Sequence, residues 1–117
     1  MGGFIYMKNF KLQKIVRRVI LETYEENIPT FFKRRFDRDL FEDYLDASMN
    51  YWVNASFGDF YSFEINTIND TIDNYFSDNH KVSARGDVKL SEYYKFVDYV
   101  IEKYGKKIKD FWEQYHN

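Results

Sequence analysis

The sequence predicts an all-α protein, a small single-domain bundle of four main helices at about 8–27, 38–55, 59–77 and 91–116. Three observations carry this. Apolar residues recur at intervals of three and four along each segment, the spacing that gathers side chains on one helical face. One Pro and five Gly among 117 residues leave little room for disordered linker, so the chain should fold. A chain of that length supports one hydrophobic core and is too short for two.

The last segment organises the rest. Val97, Ile101, Tyr104, Ile108, Phe111 and Tyr115 alternate in steps of four and three, which is a heptad seam. A continuous helix from Ser91 to His116 runs about 39 Å at ~1.5 Å per residue, and its aromatic stripe needs cover from the preceding helices. Ser91 is the expected N-cap, and Gly105 inside the helix costs about 1 kcal/mol relative to Ala, a place to kink or split the rod although the seam runs through it without a change of phase.

The earlier elements follow in order. Residues 1–7 read as a frayed lead before a single domain over 8–117. Leu12, Ile15, Val16, Val19, Ile20 and Tyr24 share one face of the first helix, with Lys11, Lys14 and Arg18 opposite. Ile28-Pro29 ends it, because a residue before proline is driven out of the helical region. Thr30 is placed to cap a short restart through Phe36, and Asp37 to cap the second helix. That helix gathers Leu40, Phe41, Tyr44, Leu45, Ser48 and Trp52 on its apolar face. The third gathers Tyr61, Ile65, Ile68, Ile72 and Tyr75, with Asp59 as its cap. Gly58-Asp59 between aromatic runs is also a hairpin signal, so an α+β fold with a hairpin around 51–66 is the runner-up. The stretch from Ser77 to Leu90 is irregular, with turn chemistry at Asp78-Asn79 and Arg85-Gly86-Asp87 and a possible ribbon between Val82 and Val88.

Composition removes several function classes. The net charge of −2 supplies no global field toward nucleic acid or an anionic membrane. With no cysteine there is no disulfide, thiolate metal site or thiol nucleophile, and a cytoplasmic location fits best. No apolar run approaches a bilayer span, and Tyr6 stands where a myristoylation signal wants Ser or Thr. His80 and His116 are the two histidines, so a His-based triad or metal pair has no local candidates. The glycines form no phosphate-cradling loop. The expectation is a protein that is not an enzyme, with no cofactor and no metal.

Two kinds of surface remain. Asp39, Glu42, Asp43 and Asp46 form an acidic helix face, and Asn66, Asn69, Asp70 and Asp73 a second polar one. The chain is 21% aromatic, and Phe60, Phe63, Phe96, Tyr99 and Tyr51 fall off the expected core faces. Large amphipathic rings near a surface are what interfaces use as anchors. The expected partner-binding set is therefore Asp39, Glu42, Asp43, Asp46, Tyr51, Phe96 and Tyr99. The expected partner is another protein with a basic surface, of the kind a toxin-immunity or anti-defence inhibitor from bacteria or phage would occlude. Homo-oligomerisation through the heptad seam is compatible with this. The alternative is a small nucleic-acid-binding regulator using Lys11, Lys14, Arg18, Lys33, Arg34 and Arg35. Arg85-Gly86-Asp87 spells an adhesion tripeptide and reads as a turn.

Overall fold

The computed structural model of the chain describes residues 28–56 and 58–116. These form a short helix α1 (Thr30–Lys33) and three long ones, α2 (Arg38–Ala55), α3 (Phe60–His80) and α4 (Leu90–His116). Among the described residues there is no strand, so the α+β alternative with a hairpin at 51–66 is excluded and the all-α class holds. The lead at 1–7 and the helix expected over 8–27 lie outside the described residues.

Local chemistry sets the boundaries. Asp37 caps α2, its Oδ1 accepting from Leu40 N at 3.1 Å, and Asp59 caps α3, accepting from Tyr61 N and the Ser62 hydroxyl at 3.0 and 3.1 Å. Between them Gly58 takes φ +81°, a left-handed conformation that makes the α2–α3 turn tight and that side chains resist. The other caps differ from expectation. Pro29 precedes α1, which ends at Lys33 rather than Phe36. The last helix begins at Leu90, with Tyr93 N bonded to Lys89 O, so Ser91 lies inside its first turn and is not the N-cap. It then continues through Gly105 to His116 as one helix. Val82 and Val88 form no ribbon. Instead Asp87 Oδ2 accepts from Ser83 N at 2.8 Å and Ser83 Oγ from Gly86 N at 2.9 Å, closing a turn.

Side-chain pairs give the topology. Tyr44 meets Asp78 and Trp52 meets Asp70, so α2 and α3 run antiparallel. Phe76 meets Phe96 while Phe63 meets Phe111 and Trp112, so α3 and α4 are antiparallel as well. It follows that α4 is parallel to α2, which it meets through Tyr104 on Phe41 and Lys107 on Asp46. Phe32 of α1 closes one end, stacked on Phe96 and edge-on to Phe76.

The core differs from the expected seams. On α4 the buried residues are Tyr93, Phe96, Val97, Tyr99, Val100, Tyr104, Ile108 and Trp112, while Ile101 and Tyr115 are exposed. From Val100 to Trp112 burial advances in steps of four, and each such step turns the face by about 40° on a helix of 100° per residue. The buried face winds round the rod because one end packs on α1 and the start of α2, the other on the start of α3. On α3, Tyr61 and Ile65 are exposed while Phe63, Thr67, Ile68, Thr71, Ile72, Tyr75 and Phe76 are buried, a double column suited to a middle helix covered from two sides. Leu40 of α2 is also exposed.

Candidate functional site

Of the acidic face, Asp39, Asp43 and Asp46 are exposed along α2 and Glu42 is half-buried. Spacings of three and four put these carboxylates side by side. Asp46 Oδ1 is ion-paired with Lys107 Nζ of α4 at 3.1 Å. Glu42 lies beside the buried Tyr104, whose phenol is pushed far up, first by burial and then by that carboxylate. Asp39 and Asp43 make no ion pair among the described residues.

Asp43, Ala47 and Tyr51 follow at intervals of four, a row that leads from the acidic face to a groove between α2 and α3. The groove holds about 340 Å³ and is lined by Tyr44, Ala47, Ser48 and Tyr51 from α2 and Asp70, Asn74 and Asp78 from α3. No cation is among these residues. Tyr51 is 65% exposed and stands edge-on to Trp52, with ring centroids 5.1 Å apart. Trp52 Nε1 donates to Asp70 Oδ2 at 2.8 Å and the Tyr44 hydroxyl to Asp78 Oδ2 at 3.0 Å. Each carboxylate is thus held by a ring on the opposite helix and keeps its other oxygen as an acceptor.

Two residues of the expected partner-binding set are corrected. Phe96 is fully buried and Tyr99 is 2% exposed. Neither can reach a partner, because both serve the aromatic cluster under α1: Phe96 stacks on Phe32, and Phe36 meets both rings edge-on. Phe63 is likewise buried, stacked on Phe111, and Phe60 is half-buried against Trp112. Of the three rings in that set, Tyr51 alone is exposed.

The second polar face is occupied internally. Asn69 accepts from the Tyr93 hydroxyl, Asp70 from Trp52, and Asp73 pairs with Arg85. That pairing and the closed turn make Arg85-Gly86-Asp87 a structural connection.

The basic residues divide. Lys11, Lys14 and Arg18 lie outside the described residues. Lys33 and Arg34 are exposed, but Arg35 is half-buried, its Nη1 donating to Phe31 O at 3.0 Å and its guanidinium 4.2 Å from the Phe31 ring centre. It serves the α1 turn and is corrected as a nucleic-acid contact. Lys33 instead joins Arg38 and Lys103 at a groove of about 230 Å³, with Ile28, Phe36 and Tyr99 as its remaining lining.

No family model, curated protein or solved structure matches the chain.

Among the described residues no three His, Asp or Glu side chains converge as a metal site, and no helix is long and apolar enough to cross a membrane. The acidic groove escapes a sequence reading because its two walls lie 18 to 34 positions apart. The one signal available was Tyr44 and Trp52 at the edge of the α2 apolar face, aromatic residues with polar tips that need partners.

Proposed function

We propose that the protein binds another protein without catalysing a reaction, and that its partner presents a basic surface. The observation that carries this is the continuity of Asp39 and Asp43 with the groove at Tyr51, where two further carboxylates, Asp70 and Asp78, flank exposed and half-exposed tyrosines with no cation in the lining. Carboxylates beside aromatic rings suit Lys or Arg side chains twice over, by charge and by contact of the cation with ring faces. Long-range attraction by the acidic face would raise the encounter rate, and burial of Tyr51 would set the lifetime. A small inhibitor that occludes a basic site, of toxin-immunity or anti-defence type and cytoplasmic in bacteria or their phages, is the activity this surface fits best.

Affinity capture from the native host tests the reading. The expected result is a discrete protein partner that is lost with Tyr51→Ala or Asp43→Lys and retained with Lys33→Ala/Arg34→Ala. A discrete DNA or RNA complex in its place, weakened by Lys33→Ala/Arg34→Ala and by moderate salt, overturns it in favour of a nucleic-acid-binding regulator.

A further inference from the structure

The groove between α2 and α3 is crossed by two closed rungs and one open one. Trp52 bonds Asp70 at one end, and Tyr44 bonds Asp78 at the other. In that antiparallel register Ser48, midway between Tyr44 and Trp52, stands opposite Asn74, midway between Asp70 and Asp78. Ser48 is 5% exposed and lines the groove, on the same face of α2 as the two rings that lie one turn to either side of it. Its hydroxyl makes no hydrogen bond among the described residues, and neither does the Asn74 amide. Other buried hydroxyls turn back on their own helix: Thr71 donates to Thr67 O at 2.7 Å and Ser56 to Trp52 O at 2.9 Å. Ser48 does not take the equivalent bond to Tyr44 O. A hydroxyl so buried and unpaired calls for a partner that arrives through the groove.

The groups around that opening are acceptors. Asp70 and Asp78 lie one helical turn to either side of Asn74, about 6 Å along the axis, and each has one oxygen that its ring partner does not use. Lys81, at the end of α3, donates instead to the Asp78 main-chain oxygen and lines a different depression. Ala47 on the rim carries nothing beyond Cβ, and Tyr51 one turn on is an exposed ring. Arginine's planar fork pairs best with a carboxylate that offers both oxygens, and here one oxygen of each is occupied. An ammonium, with three donors in tetrahedral directions on a slender stem, matches separate single acceptors. We infer that a lysine of the partner enters past Ala47, its stem along the Tyr51 ring and its ammonium at Ser48 Oγ, the Asn74 amide oxygen and Asp70 Oδ1. This rests on the protein-binding role proposed above and adds which basic residue is read: Ser48 and Asn74 select lysine over arginine.

The test titrates the full-length protein, followed by its NMR signals, with three peptides: acetyl-Gly-Lys-Gly-amide, acetyl-Gly-Arg-Gly-amide and the lysine peptide acetylated on Nζ. The lysine peptide is expected to move the signals of Ser48, Tyr51 and Asn74 at a roughly ten-fold lower concentration than the arginine peptide. The acetylated peptide, which has lost its charge, should move none of them. Ser48→Ala/Asn74→Ala should weaken the lysine peptide about ten-fold, as loss of hydrogen bonds to a charged group does, and bring it level with the arginine peptide. That variant breaks no internal hydrogen bond, so its thermal midpoint should match the parent's, and the comparison of peptides on the parent protein stands without it. Equal response to the lysine and arginine peptides, no response to either, or a lysine response untouched by the double variant overturns the inference. Those outcomes leave the protein-binding reading intact, since it stands or falls on affinity capture and its loss with Tyr51→Ala.

Discussion

Phe32 and Phe96 stack with ring planes 3° apart and centroids 4.6 Å apart, joining the four-residue α1 to the first turns of α4. Phe76, Phe36 and Phe41 meet Phe96 at 5.7–6.0 Å, so one ring ties four elements together. Phe96→Ala is therefore expected to cost about 3–5 kcal/mol, the range for emptying a fully buried aromatic site. Tyr51→Ala, at an exposed position, should stay within about 0.5 kcal/mol. Urea unfolding of both variants checks this, and a Phe96→Ala midpoint close to that of the parent would sink the assignment of Phe96 to the core.

Much of the fold was legible because helix periodicity and caps are local. The α2 bounds at 38 and 55 match expectation, and Asp37 and Asp59 cap as their side chains dictate. The division of aromatic residues between core and surface was not legible. A strict heptad assumes a straight partner along one side of the helix. The winding of the buried face along α4 moves Ile101 and Tyr115 outward and Phe96 and Tyr99 inward, and it depends on where α1 and the start of α3 lie. The acidic face on α2 was readable within one helix, whereas the groove beside it exists only once α3 brings Asp70 and Asp78 alongside.

Two buried phenols in different surroundings make opposite predictions. The Tyr75 hydroxyl accepts from Asp37 N at 2.8 Å and donates to Arg35 O at 2.5 Å, satisfying two backbone groups of the α1–α2 connection. The Tyr104 hydroxyl is buried beside the Glu42 carboxylate and makes no hydrogen bond of ordinary geometry among the described residues. Tyr75→Phe should lose about 1–3 kcal/mol by stranding those groups. Tyr104→Phe, which removes an unsatisfied oxygen and keeps the ring, should match the parent or exceed it by about 1 kcal/mol. Thermal unfolding of the two variants side by side decides, and a larger loss for Tyr104→Phe would contradict the hydrogen bonding described.

Alkaline pH should unfold the protein cooperatively. Burial is the first cause that raises the phenols of Tyr75, Tyr93 and Tyr104 above the usual value of 10. Below pH 10 both folded and unfolded states hold these protons, and their contribution to stability is intact. Above it the unfolded chain releases them while the folded chain retains them, so stability falls with rising pH by about 1.4 kcal/mol per unit for each group. Phenolate absorbance and helical circular dichroism should therefore change together above about pH 10. Gradual phenolate formation with helicity preserved would show that these rings titrate in the folded state.

The last prediction separates the acidic face from the groove by kinetics. Asp39 and Asp43 are exposed, and an exposed charge acts on a distant basic partner mainly by steering its approach. Asp39→Asn/Asp43→Asn should slow association with the captured partner several-fold and flatten its dependence on salt, with dissociation little changed. Tyr51 acts only on contact, so Tyr51→Ala should leave association alone and hasten dissociation by roughly ten-fold or more, the loss of a hot-spot ring. Stability complicates only one of these, because Asp39 lies in the first turn of α2 and its neutralisation forfeits about 0.3–1 kcal/mol of favourable interaction with the helix dipole. Asp43→Asn alone avoids that loss. If the Asp variants changed dissociation alone and Tyr51→Ala had no effect, the partner would be sitting on another face, and the continuity between the acidic row and the Tyr51 groove would have no part in recognition.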